Sequence, residues 1–244
     1  MTTLVPFLLL LGAWGGGDSD CYPQAPCFAS DSVTNSASNK PGSLAPGTLA
    51  TIYGTNLSFT GFSGVEVYVR GLMTSISYVS DSQVNFLIPM NLLPGEATLK
   101  LVRDGTAGPP VKIALHEFAP ALFQCDAETA IGLRWPDYAL ATPEVPAQRG
   151  EYVMLWATGL GAMATRKPTD LPLAVQIARR KDFKLILDGK EVDDALITYV
   201  GAAPGFEGLY QINLLIPADV ENSPEIRISL AGEISPPAIR LPIE

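Results

Sequence analysis

The chain contains a single histidine, and that scarcity removes most nucleophilic and acid–base catalysis. A Ser-His-Asp or Cys-His enzyme needs an imidazole to take the proton of its nucleophile. The candidate, His116, ends a predicted strand beside an interdomain turn, where a hinge or surface role accounts for it. Gly-x-Ser-x-Gly, Walker and His-Glu-x-x-His strings are absent, so the common signatures of hydrolases, nucleotide enzymes and zinc proteases all fail. No catalytic residue is assigned and no cofactor is expected. Cysteine is scarce as well: Cys21, Cys27 and Cys125 have neither zinc-site spacing nor a Cys-x-x-Cys redox pair. Cys21 and Cys27 would close a small loop in an oxidising compartment, leaving Cys125 expected as a buried free thiol.

Positive charge is in deficit. Sixteen Lys and Arg against 25 Asp and Glu give a net charge of −9 and a pI near 4.6, which excludes a generic nucleic-acid binder because phosphate neutralisation requires a basic face. Long hydrophobic runs are missing too. The apolar stretch Leu4 to Trp14 in "MTTLVPFLLLLGAWGGG" is too short to span a bilayer, so no integral membrane span is expected. Two readings of it stay open. It has the outline of a secretory signal, although its n-region lacks Lys and Arg and "GGGDSDC" makes a poor lipobox. Alternatively it is retained, and Leu8, Leu9 and Leu10 pack against their own domain or lend a strand to the open sheet edge of another copy.

What the sequence does have is punctuation. With 21 Pro, 22 Gly and short runs of Val, Ile, Thr and Tyr, the composition favours strands cut by turns, and 47% apolar content is ample for a core. It also has a repeat. "LAPGTLATIYGTNLS" is answered by "AQRGEYVMLWATGLG", with Gly47, Tyr53 and Leu57 matching Gly150, Trp156 and Leu160. "VEVYVRG" is answered by "FKLILDG", "ISYVSDSQVNFLIP" by "ITYVGAAPGFEGLYQINLLIP", and "GEATLKLVRDG" by "SPEIRISLAG", in the same order. Ordered blocks of this kind indicate duplication. Short strands at regular spacing, in copies of roughly 75 to 100 residues, indicate an Ig-like sandwich. The expected architecture is therefore all-β, with two tandem Ig-like β-sandwich domains over residues 44–117 and 118–244. They follow an N-terminal segment 1–43 whose part "FASDSVTNSASNKPGS" has the composition of a linker or polar arm.

These blocks, together with "FAPALF", resemble the Solibacter uncharacterised C-terminal domain family of secreted acidobacterial proteins. The resemblance runs from about Leu44 to the C-terminus. Each half is similar to an IPT/TIG module, whose Gly-Thr-Asn-Leu turn is matched at Gly54 to Leu57; the basic insert "MATRKPTDLPLAVQIARRKD" departs from the family pattern. The resemblance implies an extracellular or cell-surface location and brings no catalytic residues.

Candidate sites are few. Glu191, Asp193 and Asp194 follow "LDGK" and lack a second set of oxygens for calcium, so a solvated turn is expected and no metal site is assigned. The acidic residues at large lack the motif of a two-carboxylate glycosidase. Of the tryptophans, Trp156 alternates with Leu at the position of Tyr53 and is expected in the core. Trp135, in the irregular "GLRWPDY", is the candidate for stacking on a sugar, with Tyr138 beside it. The basic residues Arg166, Lys167, Arg179, Arg180 and Lys181 would complement an acidic face of another copy. In "GLYQINLLIP", Tyr210, Ile212 and Leu214 form a core face opposite Gln211 and Asn213; these two, like Gln83 and Asn85 in the first copy, are candidates for structural hydrogen bonds. The leading expectation is a non-enzymatic extracellular structural or adhesive protein, self-associating into an oligomer or filament by strand exchange. The alternative is a carbohydrate-binding accessory module with a polysaccharide partner.

Overall fold

A computed structural model of the protein describes Cys21, residues 24–164 and residues 175–244. Leu8, Leu9, Leu10, Trp14, Arg166 and Lys167 lie outside the described residues. The first sandwich is built from β1 (Val33–Asn35), β2 (Leu49–Tyr53), β3 (Val65–Val69), β4 (Leu72–Met73), β5 (Ile76–Val79), β6 (Gln83–Leu87), β7 (Gly95–Arg103), β8 (Thr106–Ala107) and β9 (Val111–Leu115). One sheet runs β1-β2-β6-β5; the other runs β4-β3-β7-β8, with β9 also on β7. All these pairs are antiparallel. This is the A-B-E-D against C′-C-F-G arrangement of an Ig-like sandwich.

The second sandwich repeats it with β10 (Ala121–Leu122), β11 (Gly132–Arg134), β12 (Tyr152–Thr158), β13 (Phe183–Leu187), β14 (Lys190–Glu191), β15 (Ile197–Ala202), β16 (Tyr210–Leu215), β17 (Ile226–Leu230) and β18 (Glu233–Ile234). Its sheets run β10-β12-β16-β15, with β11 also on β12, and β14-β13-β17-β18. The place of β9 is taken by the last residues of the chain: Ile226 N donates to the Ile239 carbonyl at 3.0 Å and Leu241 N to that of Pro224 at 3.1 Å.

The duplication extends to irregularities. β5 and β15 each carry a bulge against their E strand, between Ile76 and Tyr78 and between Ile197 and Tyr199. The β3–β4 and β13–β14 hairpins turn on Arg70-Gly71 and Asp188-Gly189, both residues of each pair at positive φ. That is the type I′ turn whose twist matches the strands it joins. On β16 the side chains alternate between buried Tyr210, Ile212 and Leu214 and half-buried Gln211, Asn213 and Leu215, the period of two that one core face requires.

Two apolar cores result. One draws on residues from Phe28 to Leu115, the other on residues from Phe118 to Ile243. The first begins earlier than composition suggested, which corrects the polar-arm reading of residues 28–43. Phe28 and Val33 are buried, β1 pairs with β2, and Asn35 is buried with its side-chain amide satisfied by the carbonyls of Ser43 at 3.1 Å and Ala119 at 3.2 Å. A polar strand of this kind folds because its amides and hydroxyls find partners, not because it is apolar.

The Ala119 contact belongs to a hydrogen-bonded junction between the sandwiches. Thr158 Oγ1, fully buried, accepts from Leu49 N at 2.9 Å and donates to the Gly208 carbonyl at 2.8 Å. His116, exposed, closes the end of the first sandwich by donating its backbone N–H to the Leu44 carbonyl at 2.8 Å. Gly159, at φ 77°, allows a backbone approach in which a Cβ would overlap the Ala119 carbonyl. Among the described residues no helix is long and apolar enough to cross a membrane.

Candidate functional site

The sheet β10-β12-β16-β15 turns one face inward and the other to solvent. On β12, Val153, Leu155 and Ala157 are buried while Tyr152, Met154 and Trp156 point outward. This corrects the expectation that Trp156 fills the core. β12 is apolar on both faces, so its own sequence does not mark which side is buried. Its neighbour does: Trp156 pairs with Gln211 and Met154 with Asn213, and directly opposed residues share a face.

Over this outward face stands a tight turn following β11. Arg134 N donates to the Ala139 carbonyl at 2.9 Å and Tyr138 N to that of Arg134 at 2.8 Å. The Asp137 carboxylate accepts from Ala139 N at 3.1 Å and pairs with Arg134 Nη2 at 3.5 Å, and Trp135 N is tied to the Tyr152 carbonyl of β12 at 2.9 Å. So braced, the turn presents Trp135 and Tyr138, 51% and 52% exposed, with ring centroids 5.3 Å apart at an interplanar angle of 82°. Between this wall and the floor made by Met154, Trp156, Gln211 and Asn213 lies a groove of about 610 Å³, with Tyr152 and Thr198 at its margins. Gln211 Nε2 donates to Asn213 Oδ1 at 2.8 Å and approaches Met154 Sδ at 3.4 Å.

Sequence reasoning named Trp135 and Tyr138 for this site and missed Tyr152, Met154, Trp156, Gln211 and Asn213. Pairing "YVMLWAT" with "YQINLL" so that the polar Gln and Asn face solvent would have found the floor. The first sandwich repeats the amide pair, with Gln83 Nε2 donating to Asn85 Oδ1 at 2.8 Å. There Tyr53, the counterpart of Trp156, spends its hydroxyl on Asn39 Oδ1 at 3.2 Å, and no aromatic turn stands over the sheet among the described residues.

The other sequence candidates are dispersed. Glu191 pairs with Lys184 at 2.7 Å, Asp194 with Arg180 at 2.7 Å, and Asp193 caps a short turn by accepting from Ala195 N at 3.0 Å, so the three carboxylates serve separate partners. Arg179 pairs with Asp182 at 2.5 Å and Glu117 at 3.6 Å, so with Arg180 it spends its charge inside the chain; Lys181 is exposed. Cys21 and Cys27 form a disulfide with Cα atoms 5.5 Å apart. Cys125 is a free thiol but an exposed one, correcting the buried reading. It sits in the turn between β10 and β11, where Asp126 Oδ1 accepts from Glu128 N and Thr129 N, each at 2.8 Å. A second cleft, of about 450 Å³, opens where Ser38–Lys40 of the first sandwich face Gln124–Ala127 and Ser235–Ile239 of the second.

No family model and no curated protein matches the chain. Among solved structures it is similar to the mixed-linkage glucan utilization locus SGBP-B of Bacteroides ovatus, at 13% identity over 82% of this chain and 44% of that one, with a TM-score of 0.37. It is similar to a surface glycan-binding protein of Prevotella bryantii, at 12% identity over 88% of this chain and 42% of that one, with a TM-score of 0.29. The chain thus spans under half the length of either. A third likeness is to the titin domains Z1Z2, at 17% identity over 91% of this chain and 98% of that one, with a TM-score of 0.23.

Proposed function

We propose that the protein is a non-catalytic extracellular carbohydrate-binding module that holds a glycan in the groove between the Arg134–Ala139 turn and β12-β16. The observation that carries this reading is the pair Trp135 and Tyr138, half-exposed large rings on a braced turn beside outward-facing amides. Rings of this kind bury the C–H face of a sugar while neighbouring amides take its hydroxyls, the mix of apolar surface and a few placed polar groups found in ligand sites. Among the described residues the groove lining is aromatic, aliphatic and amide in character, with Trp135, Tyr138, Tyr152, Met154, Trp156, Gln211 and Asn213, the surface that binding of a sugar calls for. The Cys21–Cys27 disulfide supports an oxidising, extracellular setting.

The test is retention on immobilised polysaccharides with Trp135→Ala and Tyr138→Ala beside the unaltered chain. Each variant is expected to lose binding by roughly tenfold or more. Equal retention of all three removes the reading. Self-association by strand exchange rests on Leu8, Leu9, Leu10, Arg166 and Lys167, which lie outside the described residues, and on Arg179, Arg180 and Lys181, of which the two arginines pair within the chain.

A further inference from the structure

We infer that the groove selects a single uncharged glycan chain carrying free neighbouring hydroxyls, over polyanionic glycans and over the flat faces of crystalline polysaccharides. The inference rests on the carbohydrate-binding reading above and narrows its ligand class on separate observations.

Charge comes first. Among the described residues, none of the acidic or basic side chains is on the groove lining. A uronate or sulfate entering it would give up water and meet no cation or charge-assisted donor among the described lining residues. The net charge of −9 adds a long-range field that repels polyanions.

Ring geometry comes second. A crystalline face offers one plane, and side chains that bind it must lie coplanar. Trp135 and Tyr138 meet at 82°, so a flat surface stacking on one ring meets the edge of the other. Perpendicular rings above a strand floor enclose a trough, which suits a chain separated from its neighbours.

The third observation is the hydrogen-bond inventory of the floor. A primary amide has two N–H donors and one oxygen acceptor. Gln211 directs its nitrogen to Asn213 Oδ1 and Met154 Sδ. That leaves Gln211 Oε1 as an acceptor and Asn213 Nδ2 as a donor, neither with a partner among the described residues. One fixed acceptor beside one fixed donor matches two adjacent hydroxyls, one donating and one accepting. An O-alkylated sugar cannot supply the donating one.

The experiment is affinity electrophoresis of the full chain through gels containing a soluble β-glucan, a xylan, a galactomannan, polygalacturonate or chondroitin sulfate, with sedimentation on microcrystalline cellulose in parallel. Retardation by at least one neutral soluble glycan is expected, with no retardation by the polyanions and no sedimentation. Trp135→Ala and Asn213→Asp, the latter replacing the donor by an acceptor, are each expected to weaken it roughly tenfold or more, and exhaustive O-methylation of the retained glycan to abolish it. Trp135-dependent binding to a polyanion or to microcrystalline cellulose at least as strong as to the neutral glycans overturns the selectivity while leaving the carbohydrate reading standing. Binding to no glycan, or binding indifferent to Trp135→Ala and Tyr138→Ala, overturns both. Should a variant lose its far-ultraviolet circular dichroism, tryptophan fluorescence of the unaltered chain titrated with the retained glycan decides instead, and an unchanged spectrum counts against the groove.

Discussion

Arg103 ends β7 nearly fully buried, and its guanidinium is used on several sides. Nη1 donates to the Asn56 carbonyl, Nη2 to that of Gln24, and the carbon between them lies 3.6 Å from the centre of the Phe59 ring. One side chain thus ties the entry segment and the β2–β3 loop to the end of a core strand. Arg103→Met removes both donors and leaves two carbonyls unpaired, an expected loss of about 2–4 kcal/mol, while Arg103→Lys, reaching one carbonyl, recovers part of it; urea midpoints of the two variants check the order. Tyr210 is the complementary case of a buried neutral group. Its hydroxyl donates to the Gly161 carbonyl, and burial, with a smaller contribution from the Glu207 charge, pushes the phenol above its usual range. The unfolded chain therefore loses this proton first. The stabilisation is fully present below the ordinary phenol pKa of about 10 and declines as pH rises beyond it. Tyr210→Phe is expected to cost about 1 kcal/mol near neutrality. The stability gap between the two proteins should narrow from pH 9 to pH 11 in urea titrations, and a constant gap would remove the assignment.

At the scale of elements, the groove depends on a turn whose stiffness has an identifiable source. Asp137 both caps the Arg134–Ala139 turn and pairs with Arg134, so Asp137→Ala should release Trp135 and Tyr138 without touching any ligand-facing atom. The expected result is a severalfold weaker glycan affinity, on the order of 1 kcal/mol, with an unchanged melting temperature and a lower tryptophan fluorescence anisotropy. The same elements show what was legible in the sequence. The paired sandwiches were, because strand periodicity, type I′ turn residues and Gln-x-Asn each recur in order, and the structure repeats even the bulges beside Tyr78 and Tyr199. The face of β12 was not, since Tyr152, Met154 and Trp156 are as apolar as Val153, Leu155 and Ala157, and a strand apolar on both sides leaves its parity open. β1 was illegible for the opposite reason. "VTN" is too short and polar to signal burial, and Asn35 is buried only because carbonyls of Ser43 and Ala119 meet its amide.

For the whole molecule, the junction between the sandwiches decides whether they behave as one body. It is not a flexible tether. Thr158 of β12 bonds Leu49 of the first sandwich and the Gly208 carbonyl of its own, Asn35 reaches across to Ala119, and the Gly208 backbone lies so close to Leu87 that a Cβ there would overlap it. Buried polar bonds of this kind contribute modestly when made and cost heavily when one partner is withdrawn. Thr158→Val keeps the shape, removes the hydroxyl, and leaves the Leu49 N–H and the Gly208 carbonyl unpaired, an expected penalty of about 2–4 kcal/mol. The share of that penalty carried by the Leu49 N–H falls on the contact between the two cores, and the share carried by the Gly208 carbonyl falls at the edge of the second. By calorimetry the unaltered chain should therefore melt in one transition, with calorimetric and van't Hoff enthalpies in agreement, and Thr158→Val should divide it into two. Because the groove is built within the second sandwich, from β11 and the turn after it, β12, β15 and β16, and Thr158 is not among its lining residues, the variant should bind glycan as the unaltered chain does below the lower transition. A single undivided transition in Thr158→Val would show that the sandwiches are coupled by something other than this hydroxyl, and a divided one in the unaltered chain that they are not coupled at all.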